Sequence, residues 1–265
     1  MKVVISWFKR DLRIPDNMPL LNAINSGFHI VPLFVIEPDL WRQKELSFRQ
    51  YKFQLDCLDD LKNQLNEIGG SLIIKTGEVV KVFESLNKKF EIQAIYSHQE
   101  TWNYWVKQRN DKLSKWFGSN NIKWVEVVQN GVIRDLKSRE GWARKWHIRM
   151  NKNLFSSVTK LVRTCNKEYK IPSFKELGLK EEKNTNFILG GRKEGLKLLN
   201  TFLHDRGENY STEMSSPSTA IVSCSKLSSH ISYGNLSIKE IFQTANKRID
   251  FLKNNSLTEN KSWIR

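Results

Sequence analysis

The chain has 265 residues, enough for one large domain or two of ordinary size, and its 39% hydrophobic and 27% charged residues suit a soluble globular protein. No apolar run is long enough to cross a bilayer, charge appears by Lys9 with no signal-peptide core, and the three cysteines, Cys57, Cys165 and Cys224, lack metal-ligand spacing; this argues against a membrane span, secretion and a disulfide or zinc scaffold, and predicts reduced thiols in a cytoplasm. The formal charge of +15 points to an anionic partner such as nucleic acid, against the plainer reading that lysine-rich solvated faces add up to the same sum.

The first stretch, from Val4 to Asn17, is an apolar run that stops at the charges of Lys9, Arg10, Asp11 and Arg13 and then at Pro15-Asp16-Asn17. In a parallel α/β sheet this is a first strand delivering polar groups to the carboxyl edge, where ligands bind. Four further apolar, β-branched runs follow at 29–36, 71–76, 92–97 and 123–128. Their hydrophobicity is continuous rather than alternating, which predicts strands covered on both faces and therefore parallel. Between the second and third runs, Phe53, Leu55, Leu58, Leu61, Leu65 and Ile68 mark the buried face of a long helix that ends at Gly69-Gly70; a shorter amphipathic helix over 77–90 precedes the fourth. The alternation predicts a five-stranded, doubly wound parallel sheet of Rossmann-like α/β class. No Gly-x-Gly-x-x-Gly follows the first strand, so the ordinary NAD fingerprint is missing.

Residues 101–121 carry Trp102, Trp105 and Trp116 among Lys107, Arg109, Lys112 and Lys115. Such a mixture serves either base stacking or, more commonly at helical spacing, a core face with lysine stems laid over it. From Arg134 to Lys170 eleven Lys and Arg oppose three acids, with no strand periodicity. That is the best local candidate for nucleic acid, or else a solvated connector crossing the surface. Leu196, Leu199, Phe202 and Leu203 then mark a helix over 192–205, residues 211–229 have the Ser, Thr and Pro content of a linker, and Ser237 with Glu240 forms a capping box opening a helix to about 253. The tail, Ser262-Trp263-Ile264-Arg265, reads as the start of another helix, so the helical unit is expected to be incomplete.

The run Trp7-Phe8-Lys9-Arg10-Asp11-Leu12-Arg13, followed by Asp16-Asn17 and Leu20, resembles the opening signature of the photolyase/cryptochrome family. Phe34-Val35-Ile36-Glu37-Pro38, Gly69-Gly70-Ser71-Leu72 and Gln129-Asn130-Gly131-Val132 resemble the family's later strand entries and exits. Gly190-Gly191 followed by Tyr210-Ser211, and Ser225-Lys226-Leu227-Ser228-Ser229-His230-Ile231 with Gly234-Asn235-Leu236-Ser237, resemble its helical domain. The resemblance implies an antenna-type α/β domain over 1–135, a basic connector over 136–189 and the amino-terminal part of an all-helical FAD domain over 190–265.

By the same resemblance Tyr210, Cys224, Ser225, Lys226, Leu227 and Ser228 meet the FAD phosphates and ribityl chain, and Arg10, Asp11 and Glu100 meet a second, antenna chromophore of folate, deazaflavin or flavin type. Lys226 stands where the family usually has arginine, and Cys224 where it has threonine, which loses a bidentate fork and a hydroxyl. On the bare residues, the Lys9–Arg13 knot serves equally as ion pairs locking the sheet edge, and Ser225–Ser228 as a turn before the Ser237 helix. The implied activity is blue-light-driven repair of pyrimidine dimers in DNA by a monomeric flavoprotein, a carbon–carbon lyase, with the catalytic core expected to lie outside this chain. The alternatives are a cryptochrome-like photoreceptor and a non-catalytic chromophore- or nucleotide-binding α/β domain.

Overall fold

The first strand, β1 (Lys2–Phe8), takes the middle of a parallel sheet because it is apolar on both sides. Val3, Ile5 and Trp7 enter one helical layer, Val4 and Phe8 the other. The structure is a computed structural model and describes residues 1–155, 158–162, 168–183 and 187–255. β2 (His29–Ile36) and β3 (Ile73–Thr76) lie on one side of β1, and β4 (Glu91–His98) and β5 (Lys123–Val127) on the other, all parallel. The order therefore reverses between β1 and β4, leaving a crevice above their carboxyl ends. All five expected strands are present, and the sheet has one more. A sixth strand, β6 (Glu168–Tyr169), pairs with β3 in parallel. Two residues carry no periodicity, so this strand exists only because the β3 edge offers it partners.

One face is covered by α1 (Met18–Asn25), α2 (Pro38–Trp41) and α3 (Phe48–Glu67). Ser47 and Gln50 form a reciprocal capping box at the start of α3, and Phe53, Cys57, Leu58, Leu61 and Leu65 bury its inner face. Beyond α3, Gly69 adopts φ +84°, and a Cβ there would lie 2.7 Å from the carbonyl oxygen of Leu161. The connector is thus anchored rather than loose, since the Leu161 N–H also bonds the Ile68 carbonyl and its side chain joins this core. The opposite face carries α4 (Val79–Lys89) and α5 (Tyr104–Ser119), with Val82, Phe83, Leu113 and Phe117 buried against Ile5 and Trp7. Of the three tryptophans of this stretch only Trp116 packs against that core, whereas Trp102 is exposed and Trp105 half-buried.

The remainder consists of α6 (Trp142–Met150), α7 (Arg192–Thr201) continuing into a π-helical turn (Phe202–Arg206), α8 (Tyr210–Glu213), α9 (Pro217–Ser223), α10 (Ser228–Ser232) and α11 (Ile238–Asn254). The linker reading of 211–229 is overturned. Pro217 opens α9, Thr219 Oγ1 donates to the Glu213 carbonyl at 2.8 Å, and Ser223 bonds the Glu213 carboxylate, so the small polar residues act as caps. Ser237 does cap α11, accepting from the N–H groups of Lys239 and Glu240, but the Glu240 carboxylate pairs with Arg192 (2.5 and 2.8 Å). The buried apolar cluster of this unit is small, Leu199, Leu203, Leu227 and Leu236, and the unit leans on the sheet instead.

That contact falls on the opening signature. The Leu12 N–H donates to the Tyr233 carbonyl (3.1 Å), Arg13 Nη1 to the Gly234 carbonyl (3.0 Å), and Lys239 Nζ meets Asp16 Oδ1 at 2.7 Å. From α3, Cys57 Sγ donates to Asn235 Oδ1 (3.2 Å), which His230 Nδ1 approaches at the same distance. A Cys–His–Asn trio has the residue types of a nucleophilic site, yet burial pushes the Cys57 thiol up to about 12, so it is an inert interlock. The tail residues Ser262, Trp263, Ile264 and Arg265, and Cys165, lie outside the described residues. Among the described residues no helix is long and apolar enough to cross a membrane, and no group of His, Cys, Asp and Glu could hold a metal ion.

Candidate functional site

Above the carboxyl ends of β1, β2 and β4 the chain buries charges in mutual contact. Lys9 Nζ lies 3.5 Å from Glu100 and 3.8 Å from Glu126. Arg109, from the inner face of α5, pairs with Glu100 and, at 2.5 Å, with Glu37 at the end of β2. Burial pushes Glu100 up, but the cations of Arg109 and Lys9 outweigh it and hold this carboxyl below its ordinary range. Among the described residues Glu37 pairs with Arg109 alone, so burial wins, helped by the Glu100 carboxylate nearby, and raises it to about 7. On the other side of Lys9, Asp11 accepts from the Lys9 N–H (2.7 Å) and from His98 Nδ1 (2.7 Å). Burial keeps His98 neutral by lowering it, and the bonds from His98 and Lys9 hold Asp11 ionised.

A prediction follows for Glu37. An unfolded Glu titrates near 4.5 and the folded one near 7. Between these values the folded state keeps a proton that the unfolded chain has released, so stability falls as pH rises through the window. The loss approaches about 3 kcal/mol above pH 7. Denaturant titrations at pH 5 and 7.5 should show a larger decline for the parent than for Glu37→Gln, and equal declines would refute the assignment.

Arg10 is placed differently from its neighbours. Its guanidinium stacks on Trp102, 3.5 Å from the ring centroid, and Nη1 donates to Ser232 Oγ at 2.6 Å. Arg10, Asp11 and Glu100 therefore all spend their polar groups on internal partners. The cavity bordered by Arg10, Glu100, Trp41, Gln54 and Trp102 is about 30 Å³, room for water but not for a ring system. A neighbouring cavity of about 330 Å³ is bounded by Glu37, Gly77, Val79, Trp105, Gln108 and Arg109.

In the helical unit, Cys224, Ser225, Lys226, Leu227 and Ser228 form one turn leading into α10. Lys226 is left-handed (φ +60°) and Leu227 follows in the right-handed region (φ −87°, ψ −8°). Such a pair turns successive N–H groups to one side, an anion-binding concavity. Arg206, in the π turn, donates to the Cys224 and Ser225 carbonyls and so holds the turn from behind. Leu227 is buried in the small core, Ser225 and Lys226 are half-buried, and Ser228 is exposed. Tyr210 opens α8, its ring edge-on to Phe202 at 5.6 Å. Arg206 thus holds the 224–228 turn, whereas Tyr210 has its ring contact with Phe202.

Glu37, Arg109, Trp105 and Arg206 escaped the sequence reading as site residues. Arg109 had a signal: it falls on the stripe Val106, Arg109, Leu113, Phe117, where an arginine must find buried acids. Arg206 had none, because the π turn that aims it is not written in the periodicity.

The architecture is that of a doubly wound α/β domain with a helical unit docked on the carboxyl edge of its sheet. A family model for DNA photolyase matches residues 4–144. The chain belongs to this photolyase/cryptochrome family. It is 33% identical over 139 residues to the chloroplastic/mitochondrial cryptochrome DASH of Solanum lycopersicum, a match covering 50% of this chain and 23% of that protein. Among solved structures it resembles the Synechocystis cryptochrome (TM-score 0.77, 20% identity, 94% of this chain and 56% of that one). It also resembles the Sulfolobus tokodaii photolyase, solved with two FAD molecules (TM-score 0.71, 22% identity, 96% of this chain and 57% of that one). At these identities the structural likeness is one of fold, and the chain spans little more than half of either solved protein.

Proposed function

We propose that the chain is the α/β domain (1–135), connector (136–189) and first part of the flavin-binding helical domain (190–265) of a cytoplasmic, light-driven photolyase acting on pyrimidine dimers in DNA. The observation that carries the flavin reading is the Lys226–Leu227 turn. The Lys226 N–H and ammonium suit a diphosphate, the Leu227 N–H beside them donates to Ser225 Oγ at 3.4 Å, Arg206 holds the carbonyls of Cys224 and Ser225, and the Tyr210 hydroxyl suits a polyol chain. FAD, when bound, would supply light absorption and electron transfer; this chain's residues hold its phosphates and exclude water beneath them.

A second chromophore fits the cavity of about 330 Å³ at Glu37, Gly77, Trp105 and Arg109 better than the one of about 30 Å³ between Arg10, Glu100 and Trp41. The second reading, a photoreceptor, is favoured by the cryptochrome names of the tomato and Synechocystis relatives. Blue-light repair of dimer-bearing DNA by a protein carrying this chain with a photolyase-length continuation separates the two, since a pure receptor shows none.

The flavin reading is tested on the chain itself by fluorescence titration with FAD. Lys226→Glu places a like charge against the diphosphate and should weaken binding at least tenfold with an unchanged melting temperature. A folded chain that takes up no FAD, or a Lys226→Glu variant that binds as the parent does, would overturn it in favour of a non-catalytic α/β chromophore- or nucleotide-binding protein.

A further inference from the structure

Between α3, the edge of β6 and the chain entering α7 runs a groove of about 630 Å³ that neither the flavin turn nor the buried charge network uses. Leu58 and Ile74 are buried beneath it, while Tyr169, Ile171 and Leu189 stand 39%, 47% and 55% exposed along it. Its walls are held in place. The Gly190 N–H donates to Asp56 Oδ2 at 3.2 Å and the Arg192 N–H to Asp60 Oδ2 at 2.9 Å, which ties the chain around Leu189 to α3. A Cβ on Gly190 would lie 2.4 Å from the Phe53 carbonyl oxygen, so the two segments are in close approach. After β6, Tyr51 Oη donates to the Pro172 carbonyl at 2.6 Å, and the Thr76 hydroxyl bonds the Lys170 carbonyl. A groove fixed in this way loses little freedom when it is filled.

The edge of β6 sets the shape of what fits. The Lys170 N–H donates to the Ile74 carbonyl at 2.9 Å, so the main-chain groups of Lys170 face β3. Successive residues of a strand turn these groups to opposite sides, and those of Tyr169 therefore face away from the sheet. They form an open edge to which an extended chain adds through main-chain hydrogen bonds. Tyr169 and Ile171, two positions apart, both border the groove, so every second side chain of an added strand falls into it. Pro172 has no N–H and ends the edge there.

Charge sets the composition. Four carboxylates, Asp56, Asp59, Asp60 and Glu194, border the groove against two ammonium groups, Lys62 and Lys193, on a chain whose formal charge is +15. Lys62 is taken by Asp59, and Glu194 pairs with no cation among the described residues. An anionic partner is repelled by this rim. A second copy related by a two-fold axis would set the acidic rim against itself. An apolar segment carrying lysine or arginine meets neither objection.

We propose that the groove takes an extended segment of a partner protein in which apolar and basic residues alternate, joined to the free edge of β6 as a seventh strand. This docking goes beyond the photolyase reading, since it uses neither the flavin turn nor light. It is measured on flavin-free protein in the dark, so its failure and that of the flavin reading are separate results.

The probe is a labelled octapeptide of alternating valine and lysine, titrated with the chain by fluorescence anisotropy at about 0.15 M salt, where diffuse charge is screened. Asp59→Asn/Glu194→Gln should weaken binding about tenfold, and the charge-matched pair Glu45→Gln/Glu84→Gln, at exposed positions elsewhere, should stay within about twofold of the parent. Leu189→Ser should also weaken it about tenfold. Tyr169→Pro removes the outward N–H and leaves the Lys170 bond to β3, so it should lose most binding with little change in melting temperature. A peptide with proline at the central valine should bind at least tenfold less tightly than the parent peptide. No binding of the valine–lysine peptide would overturn the docking, as would equal losses from the two charge pairs or an unaltered Tyr169→Pro. Equal binding of a valine–glutamate peptide, or sedimentation showing a dimer that Leu189→Ser dissolves, would overturn it as well, the latter in favour of a second copy.

Discussion

Gly234→Val is expected to undock the helical unit from the sheet and to cost the protein about 2–5 kcal/mol. Gly234 has φ +67°, and a Cβ there would lie 2.4 Å from the Arg10 carbonyl oxygen and 2.6 Å from the Asp11 Cα. Both obstacles are backbone, so no side chain can swing aside. Moving the turn breaks the bonds that flank it, from Leu12 to the Tyr233 carbonyl, from Arg13 to the Gly234 carbonyl and from Asn235 to the Leu12 carbonyl. A loss of that size lowers the melting temperature of a chain this long by roughly 5–15 °C. Gly118→Ala is the matched control, since nothing lies within 4 Å of its new Cβ and a helix gains from alanine. Calorimetry in which Gly234→Val melts with the Gly118→Ala control would sink the close-approach argument.

Arg109→Met should be nearly as damaging, by about 3–5 kcal/mol at neutral pH, for an electrostatic reason. One guanidinium serves two buried carboxylates, Glu37 and Glu100, and methionine replaces its stem without its charge. Glu100 keeps Lys9 at 3.5 Å, whereas Glu37 loses its direct partner. The variant should therefore recover stability as pH is lowered and the stranded carboxyls take up protons, the folded state holding them more tightly than the unfolded chain. Arg109→Met/Glu37→Gln should regain much of the loss at neutral pH, because Glu100 still has Lys9 and no buried carboxylate is left without a cation. Urea denaturation at pH 5 and pH 7.5 reads both effects; a double variant no more stable than the single one would show that packing, not charge, is what Arg109 supplies.

Both predictions fall on the opening signature and its surroundings, which the sequence exposed clearly but whose duty it left ambiguous. The knot Lys9–Arg13 was legible as the polar end of a first strand, and the alternatives of ligand contact and locking ion pairs were both visible. The structure divides them by residue: Lys9 and Glu100 form a buried ion pair and Asp11 a buried hydrogen bond with His98, while Arg10 and Arg13 reach the helical unit. No local pattern could have told Arg10 from Asp11, since their partners Ser232 and His98 are 222 and 87 residues away. The same distance effect hid β6, whose two residues pair with β3 only because the connector is pinned at Leu161. It also hid α8 and α9, where Ser, Thr and Pro resemble a linker until Glu213 and Arg206 gather their free donors and carbonyls.

What was readable from residue order alone is what local physics governs. Continuous apolar runs required parallel strands, the stripe from Phe53 to Leu65 required an amphipathic helix, and Ser237 required a helix start; each depends on neighbours within a few positions. Tertiary structure alone decided that β1 ends against a helical unit, that Arg109 lies between two acids, and that Arg206 shapes the Lys226 turn. Those outcomes depend on which groups lose water together. A buried charge or an orphaned carbonyl takes whatever partner the fold brings within reach, however distant in the chain.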